Sequence, residues 1–239
     1  MKNNEIMMEN YLKNRIEEQI HINKGTAEIY LAIRQWIEAR LTVRLLPQSE
    51  FIQPGTISRI TKFDGIQSCL YITHNKIQVY VTLELLQIAG ISQDEAWEMA
   101  HKNVAESCEI LTIKDILSRQ FPEMYDTEVA VSSLEVGMFE MEMYVLSNES
   151  ATYGVAGILN DEILRDFGER IDCRQLIAIP CSVHEIILMR RSEAGDDERM
   201  REVIRDINHS KVAPEERLGD FPYLITIGPD EVQVSALKG

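Results

Sequence analysis

Residues 175–188 read QLIAIPCSVHEIIL, two apolar stretches on either side of a short polar segment. The apolar stretches, 175–179 and 186–188, are rich in Leu and Ile, which predicts two buried β-strands. Pro180 and the polar residues that follow it predict a tight turn between these strands. The pattern therefore predicts a β-hairpin whose turn places several polar side chains between two apolar strands.

A segment of small residues, YGVAGIL at 153–159, lies shortly before this hairpin. We expect helical structure over residues 153–170, where Gly154, Ala156 and Gly157 allow close packing against the sheet. The glycines do not fit a phosphate-binding loop, because neither G-x-G-x-x-G nor a terminal Gly-Lys-Ser/Thr is present. No cofactor is therefore predicted.

The remaining strands are also predicted as hairpins rather than as a βαβ series. The predicted strand pairs are 69–73 with 77–82 and 223–227 with 232–236. The predicted helices form separate blocks, and three of them follow a residue that can cap a helix N-terminus: Ser92, Thr112 and Asp196. Strands in hairpins and helices in separate blocks predict an α+β fold, with mostly antiparallel sheet and packed helices.

The N-terminal residues 1–47 are predicted to form a helical hairpin. An apolar stripe at a spacing of four residues marks the first helix: Met8, Leu12, Ile16 and Ile20. A second helical pattern runs from Ile29 to Leu41, and Pro47 ends it. We therefore expect two parts, a hairpin at 1–47 and an α+β domain at 48–239. The hairpin either packs on the rest of the protein or serves as an arm for a partner or a homodimer.

Charge and composition disfavour several classes of protein. The formal net charge of −15 disfavours general binding to nucleic acid or to an anionic membrane, because both depend on Lys and Arg. No apolar run reaches the roughly 18 residues that span a bilayer, and no signal sequence is apparent, so we expect a cytoplasmic protein. The cysteines are scattered without a Cys-x-x-Cys pair, which predicts reduced thiols and no metal site.

Cys181, Ser182 and His184 are the candidate catalytic residues of the predicted turn. A thiol or hydroxyl becomes a nucleophile when an imidazole takes its proton. Strand alternation directs His184 and Glu185 to opposite faces, and no Gly-x-Ser-x-Gly elbow surrounds Ser182, so catalysis is the least favoured interpretation. Two others stay open: turn side chains that bond the main chain, or a ligand site formed by Tyr153, Ser182 and His184.

The chain resembles a bacterial family of unknown function in several short motifs. The motifs are MYVLSN at 143–148, YGVA at 153–156, IPCSVHE at 179–185 and APEERL at 213–218. With a weaker similarity over 79–105, the resemblance covers roughly residues 70–225. It implies a shared fold and carries Ser182, His184 and Glu185 as motif members without a role. It also implies Ser as the usual family residue at the position of Cys181.

These observations favour a non-catalytic cytoplasmic protein that binds another protein or a small ligand. The weak catalytic geometry of the turn and the acidic surface are the reasons for this hypothesis. The alternative is a hydrolase that uses Ser182 or Cys181 with His184. A structure distinguishes the two by showing whether Oγ or Sγ lies within hydrogen-bond reach of the imidazole.

Overall fold

The computed structural model, which describes residues 26–74, 77–120 and 142–238, contains two mostly antiparallel sheets. The chain divides into two structural units. The first comprises Met1–Arg44, Glu50–Ile60 and Gln67–Glu106; the second comprises Leu45–Ser49, Thr61–Ile66 and Ser107–Gly239. Strands joined mainly in hairpins and helices in separate blocks confirm the predicted α+β fold.

The first unit contains a four-stranded sheet and three described helices. In chain order these elements are α1 (Thr26–Glu38), β1 (Leu41–Pro47), β2 (Ser58–Ile60), β3 (Ile66–His74), β4 (Ile77–Tyr80), α2 (Leu83–Ala89) and α3 (Gln93–Ser107). The long strand β3 lies beside β1, and both β2 and β4 pair with it in antiparallel orientation. The pairing of β3 with β4 confirms the hairpin predicted at 69–82.

Helix α3 of this unit begins directly after Ser92, the capping residue that the sequence predicted. Ser92 Oγ accepts a hydrogen bond of 3.3 Å from Glu95 N–H, and the Glu95 carboxylate accepts one of 2.8 Å from Ser92 N–H. The two bonds form a complete capping box. Gly90 ends α2 with a φ of 63°, a left-handed conformation that glycine adopts without steric cost.

The second predicted N-terminal helix is shorter than its periodicity predicted. The helix α1 ends at Glu38, and β1 begins at Leu41, so the prediction of helix up to Pro47 is wrong. Leu41 and Val43 are buried, whereas Thr42 between them is partly exposed. This period-two pattern overlaps the end of the helical one, and pairing with β3 favours the strand.

The other part of the predicted hairpin, its first helix, falls in residues 1–25, which lie outside the described residues. The division of the chain at residue 47 stays a prediction for the same reason. Residues 75–76 and 121–141 are also outside the described part.

The second unit contains a six-stranded sheet in the order β10-β9-β7-β8-β6-β5. Its elements are β5 (Cys108–Thr112), α4 (Ile113–Gln120), β6 (Tyr144–Asn148), a 3₁₀ helix (Gly154–Leu159), α5 (Asp161–Arg170), β7 (Gln175–Ile179), β8 (Ile186–Arg190), α6 (Asp197–Ser210), a 3₁₀ turn (Pro214–Glu216), β9 (Tyr223–Ile227) and β10 (Val232–Ala236). All the paired strands run antiparallel. The predicted hairpins β7–β8 and β9–β10 are confirmed.

Helix α5 packs on this sheet through aromatic side chains. Asn160 caps α5 through its side-chain oxygen, which accepts from Glu162 N–H at 2.9 Å. Phe167 on α5 meets Tyr144 on β6 edge to face, with ring centroids 4.9 Å apart, and both residues are buried. Aromatic pairs of this geometry contribute about 0.5–1.5 kcal/mol beyond the area that they bury.

Candidate functional site

The candidate residues lie in the connection between β7 and β8. Ile179 pairs with Ile187, and the six residues 180–185 between the strands form a loop rather than a tight turn. Because β8 begins only at Ile186, the strand alternation predicted for Val183 to Glu185 does not apply. Val183 is buried and Glu185 is exposed, so the loop still directs neighbouring side chains to different environments.

Both nitrogen atoms of the His184 ring face groups of the protein. Nδ1 accepts a hydrogen bond of 3.1 Å from the main-chain N–H of Tyr153. A ring nitrogen that accepts carries no proton, so the neutral imidazole carries its proton on Nε2. Nε2 lies 3.4 Å from Oε1 of Glu216, on the 3₁₀ turn. The imidazole is therefore oriented from both sides.

The main chain of His184 also bonds to residues at the end of β6 and at the start of the 3₁₀ helix. Its carbonyl oxygen accepts from Ser147 Oγ at 2.9 Å and from Gly154 N–H at 3.1 Å. Gly154 lies so close to the end of β6 that a Cβ atom there would stand 2.3 Å from the main-chain nitrogen of Asn148. Only glycine fits at this position without a backbone shift, which explains the small residue at the start of the 3₁₀ helix.

The segment between β6 and the 3₁₀ helix contains two residues with left-handed backbone. Ala151 has a φ of 48° and Tyr153 a φ of 53°. Each such residue costs on the order of 1 kcal/mol or more and persists only where surrounding bonds impose it. Asn148 supplies part of this constraint, since its side-chain oxygen accepts from Thr152 N–H at 3.1 Å. His184 adds to this constraint by accepting a hydrogen bond from Tyr153 N–H, and the centroids of the two rings lie 4.9 Å apart.

Ser182 is bonded to the main chain of its own loop. Its Oγ accepts a hydrogen bond of 3.0 Å from His184 N–H, and its N–H donates to Glu185 oxygen at 3.3 Å. The next residue, Val183, donates its N–H to the carbonyl oxygen of Glu216 at 2.8 Å. Among the hydrogen bonds of the described residues, Ser182 Oγ is joined to the backbone of His184 and not to its ring.

Cys181 has a thiol that its surroundings keep protonated. Burial raises the pKa of this thiol to about 12, and the negative charge of Glu185 acts in the same direction. A nucleophilic cysteine needs the opposite environment, with a nearby cation or base that lowers the pKa. Ser182 Oγ thus lies against the His184 backbone, and among the described hydrogen bonds none joins the Cys181 thiol to the imidazole.

Two residues of the site were missed by sequence reasoning, Ser147 and Glu216. They fall inside the motifs at 143–148 and 213–218, which the sequence singled out only through their resemblance to a family. Their role depends on contacts between segments that are distant in the chain. Spacing along the sequence contains no signal for such contacts.

Within residues 26–74, 77–120 and 142–238, no group of three or more His, Cys, Asp or Glu side chains could hold a metal ion. None of the described helices combines the length and apolar character that crossing a bilayer requires.

The comparisons with known proteins identify a family for this chain but no individual relative. Neither the curated proteins nor the solved structures contain a match to this chain. A family model described as a family of unknown function (DUF5688) matches residues 68–225, which is more than half of the 239-residue chain. The match runs from within β3 to within β9 and therefore contains the whole His184 loop with its partners. The chain belongs to this family of unknown function.

Proposed function

We propose that this chain is a non-catalytic cytoplasmic protein that binds another protein or a small ligand, and that the His184 loop positions its binding surface. The observation that carries the proposal is the double engagement of the imidazole, by Tyr153 N–H at Nδ1 and by Glu216 at Nε2. A general base needs a free nitrogen directed at the nucleophile. Here the ring instead joins segments that are far apart in the chain.

The state of the two candidate nucleophiles supports the same proposal. Ser182 Oγ accepts from a main-chain N–H, and burial raises the pKa of the Cys181 thiol to about 12. Neither group is paired with a base in the described contacts. The cysteines are all free thiols, which agrees with the reducing conditions of the cytoplasm.

The segments that meet at His184 present acidic side chains to solvent. Glu149 lies in the turn after β6, Glu185 follows His184 and Glu215 lies on the 3₁₀ turn, and all three are exposed. Positioned carboxylates on constrained loops favour a partner that carries a basic group. The constrained backbone at Ala151 and Tyr153 limits the entropy that these loops lose on binding.

The first experiment tests whether the loop is catalytic. The purified protein is treated with a fluorophosphonate probe, which labels activated serines, and modified peptides are identified by mass spectrometry. We expect no labelling of Ser182, in the wild type or in the matched variant His184→Asn. Labelling of Ser182 in the wild type that His184→Asn abolishes would overturn the proposal and establish the hydrolase.

The second experiment locates the binding surface. A photo-crosslinking amino acid is placed at Glu185 and, as a matched control, at the exposed Glu231 in the turn between β9 and β10. The partner cross-linked at position 185 alone is identified and purified. Its affinity should then fall in Glu185→Lys and not in Glu231→Lys. Equal cross-linking at both positions, together with no hit in a thermal-shift screen of cationic small molecules, would contradict the proposal.

The exposed apolar side chains of α1 favour a second function, self-association through the N-terminal part of the chain. Tyr30 and Leu31 on α1 are more than half exposed, at 53% and 55%. Deletion of residues 1–47 is unsuitable as a test, because it removes the buried strand β1. The double variant Tyr30→Ser, Leu31→Gln keeps that strand. If the chain is a homodimer through this helix, light scattering will show half the mass for the variant; an unchanged dimer mass excludes this surface.

A further inference from the structure

The indole of Trp97, on α3, contains a buried hydrogen-bond donor without an acceptor. Trp97 is 3% exposed, and no atom of residues 26–74, 77–120 or 142–238 accepts a hydrogen bond from its Nε1. Leaving a buried donor unpaired destabilises the folded state, and such groups are few in folded proteins. An indole N–H can only donate, so whatever satisfies it must supply an acceptor atom.

Arg59, on the exposed strand β2, covers this indole. Its guanidinium carbon lies 4.8 Å from the centroid of the Trp97 ring, a cation–π distance. The side chain is half exposed, at 50%, and it forms an ion pair of 2.8 Å with Asp94, whose side chain is 88% exposed. A solvent-exposed pair of this kind contributes little stability, so another anion can replace Asp94 at low cost.

His101 completes the cluster one helical turn after Trp97. The two rings stack with centroids 5.7 Å apart and an angle of 29° between their planes. Burial lowers the pKa of His101, and the positive charge of Arg59 lowers it further. The ring is therefore neutral at physiological pH and stacks on the indole without adding a charge.

We propose that Arg59, Trp97 and His101 form a binding site for an anionic group, a carboxylate or a phosphate, on a ligand of this protein. The guanidinium supplies the positive charge and a planar pair of donors that suits both groups. The indole N–H supplies a donor that has no other acceptor, and Asp94 occupies the guanidinium when no ligand is bound. Because the chain carries a net charge of −15, the direct contacts and not long-range attraction favour the anion.

This site is independent of the function proposed for the His184 loop. Arg59, Asp94, Trp97 and His101 all belong to the first structural unit, whereas the loop belongs to the second. The two proposals therefore stand or fall by separate experiments.

The test follows the indole N–H resonances of the full-length chain in ¹⁵N–¹H correlation spectra. The two tryptophans give two indole signals, and Trp36→Phe assigns the one that belongs to Trp97. Inorganic phosphate and sodium acetate are titrated separately at constant ionic strength. We expect a saturable shift of the Trp97 signal. Saturation with phosphate alone identifies a phosphate site, with acetate alone a carboxylate site, and with both a general anion site.

Three variants make the result specific. Arg59→Gln should weaken binding by about tenfold or more, because it removes the charge and the donor pair. Asp94→Asn should strengthen binding several-fold, because it removes the competing carboxylate. Lys102→Gln, an exposed cation on the same helix, should leave the affinity unchanged. A Trp97 signal that does not saturate with either probe, or that shifts equally in Arg59→Gln, overturns the proposal.

Discussion

The main-chain N–H of Tyr153 donates to Nδ1 of His184 across 3.1 Å, although 31 residues separate the two in the chain. Tyr153 has a left-handed backbone, which a bulky residue adopts only under constraint. The carbonyl oxygen of the same histidine accepts hydrogen bonds from Ser147 Oγ and Gly154 N–H. Its Nε2 faces Glu216. A single residue therefore joins the end of β6, the β7–β8 loop and the 3₁₀ turn.

This relationship predicts an order of stability among substitutions of His184. In His184→Asn the side-chain oxygen takes the place of Nδ1 and still accepts from Tyr153 N–H. In His184→Ala that N–H loses its acceptor, which should lower the free energy of unfolding by about 1–3 kcal/mol. Urea unfolding measures the difference, with Glu185→Ala at the adjacent exposed position as the control. Equal losses in the Asn and Ala variants would show that the Nδ1 contact does not stabilise the loop.

Gly154 should tolerate no side chain. A Cβ atom would lie 2.3 Å from Asn148 N, a backbone atom that can move only if β6 moves. Gly154→Ala should therefore destabilise the protein by about 3 kcal/mol or more. Gly195→Ala is the matched control, because a Cβ at Gly195 has no atom within 4 Å. Thermal unfolding distinguishes them, and similar midpoints for the two variants would disprove the close approach.

The Cys181 thiol should react slowly in the folded protein. Burial raises its pKa from 9.0 to about 12, so the fraction of thiolate near neutral pH falls by about a thousandfold. Alkylation with iodoacetamide, followed by peptide mass spectrometry, should modify Cys181 readily in urea and hardly at all in the native state. Rapid modification under native conditions would indicate an activated thiol and would revive a cysteine-based mechanism.

The capping box of α3 should stabilise the protein in a pH-dependent way. The hydrogen bond from Ser92 N–H, with those from the Ser92 hydroxyl and Arg34, lowers the pKa of Glu95 from 4.5 to about 2. A carboxylate with a lowered pKa stabilises the folded state above its unfolded pKa, and this contribution disappears as the pH falls through about 2.

Glu95→Gln should therefore be less stable than the wild type at neutral pH, and the difference should shrink as the pH falls below about 4.5. Urea unfolding over that range provides the measurement. Glu98→Gln, at an exposed position of the same helix, serves as the control. A difference between Glu95→Gln and the wild type that stays constant with pH would show that the charge of Glu95 does not contribute.

Local sequence signals predicted much of the fold. The alternation at 223–227 and 232–236 gave both C-terminal strands with the bounds that the structure has, because strand periodicity and a Gly-Pro-Asp turn coincide there. Asp196 caps α6, as predicted, with its side-chain oxygen 3.1 Å from Glu198 N–H. The strand β1 was missed because its alternation begins where the helical spacing of α1 has not yet ended. The short strand β5 was missed because five residues between two helices offer too little periodicity.

The candidate site was less predictable than the fold. The sequence singled out Tyr153, Ser182 and His184 because they are polar groups beside apolar strands. It could not predict the roles of Ser147 and Glu216. The role of Ser147 arises from the pairing between β6 and β8, and that of Glu216 from the return of the chain at the 3₁₀ turn. The cluster of Arg59, Trp97 and His101 was unpredictable for the same reason, since it joins β2 to α3.

The protonation of the His184 ring tests the central claim most directly. Nitrogen NMR of ¹⁵N-labelled protein at neutral pH, with the signals assigned from their loss in His184→Asn, shows which ring nitrogen carries the proton. The hydrogen bond from Tyr153 N–H predicts an unprotonated Nδ1 and a protonated Nε2 that faces Glu216. A proton on Nδ1, with Nε2 unprotonated and available as a base, would contradict the assignment of His184 as a positioning residue.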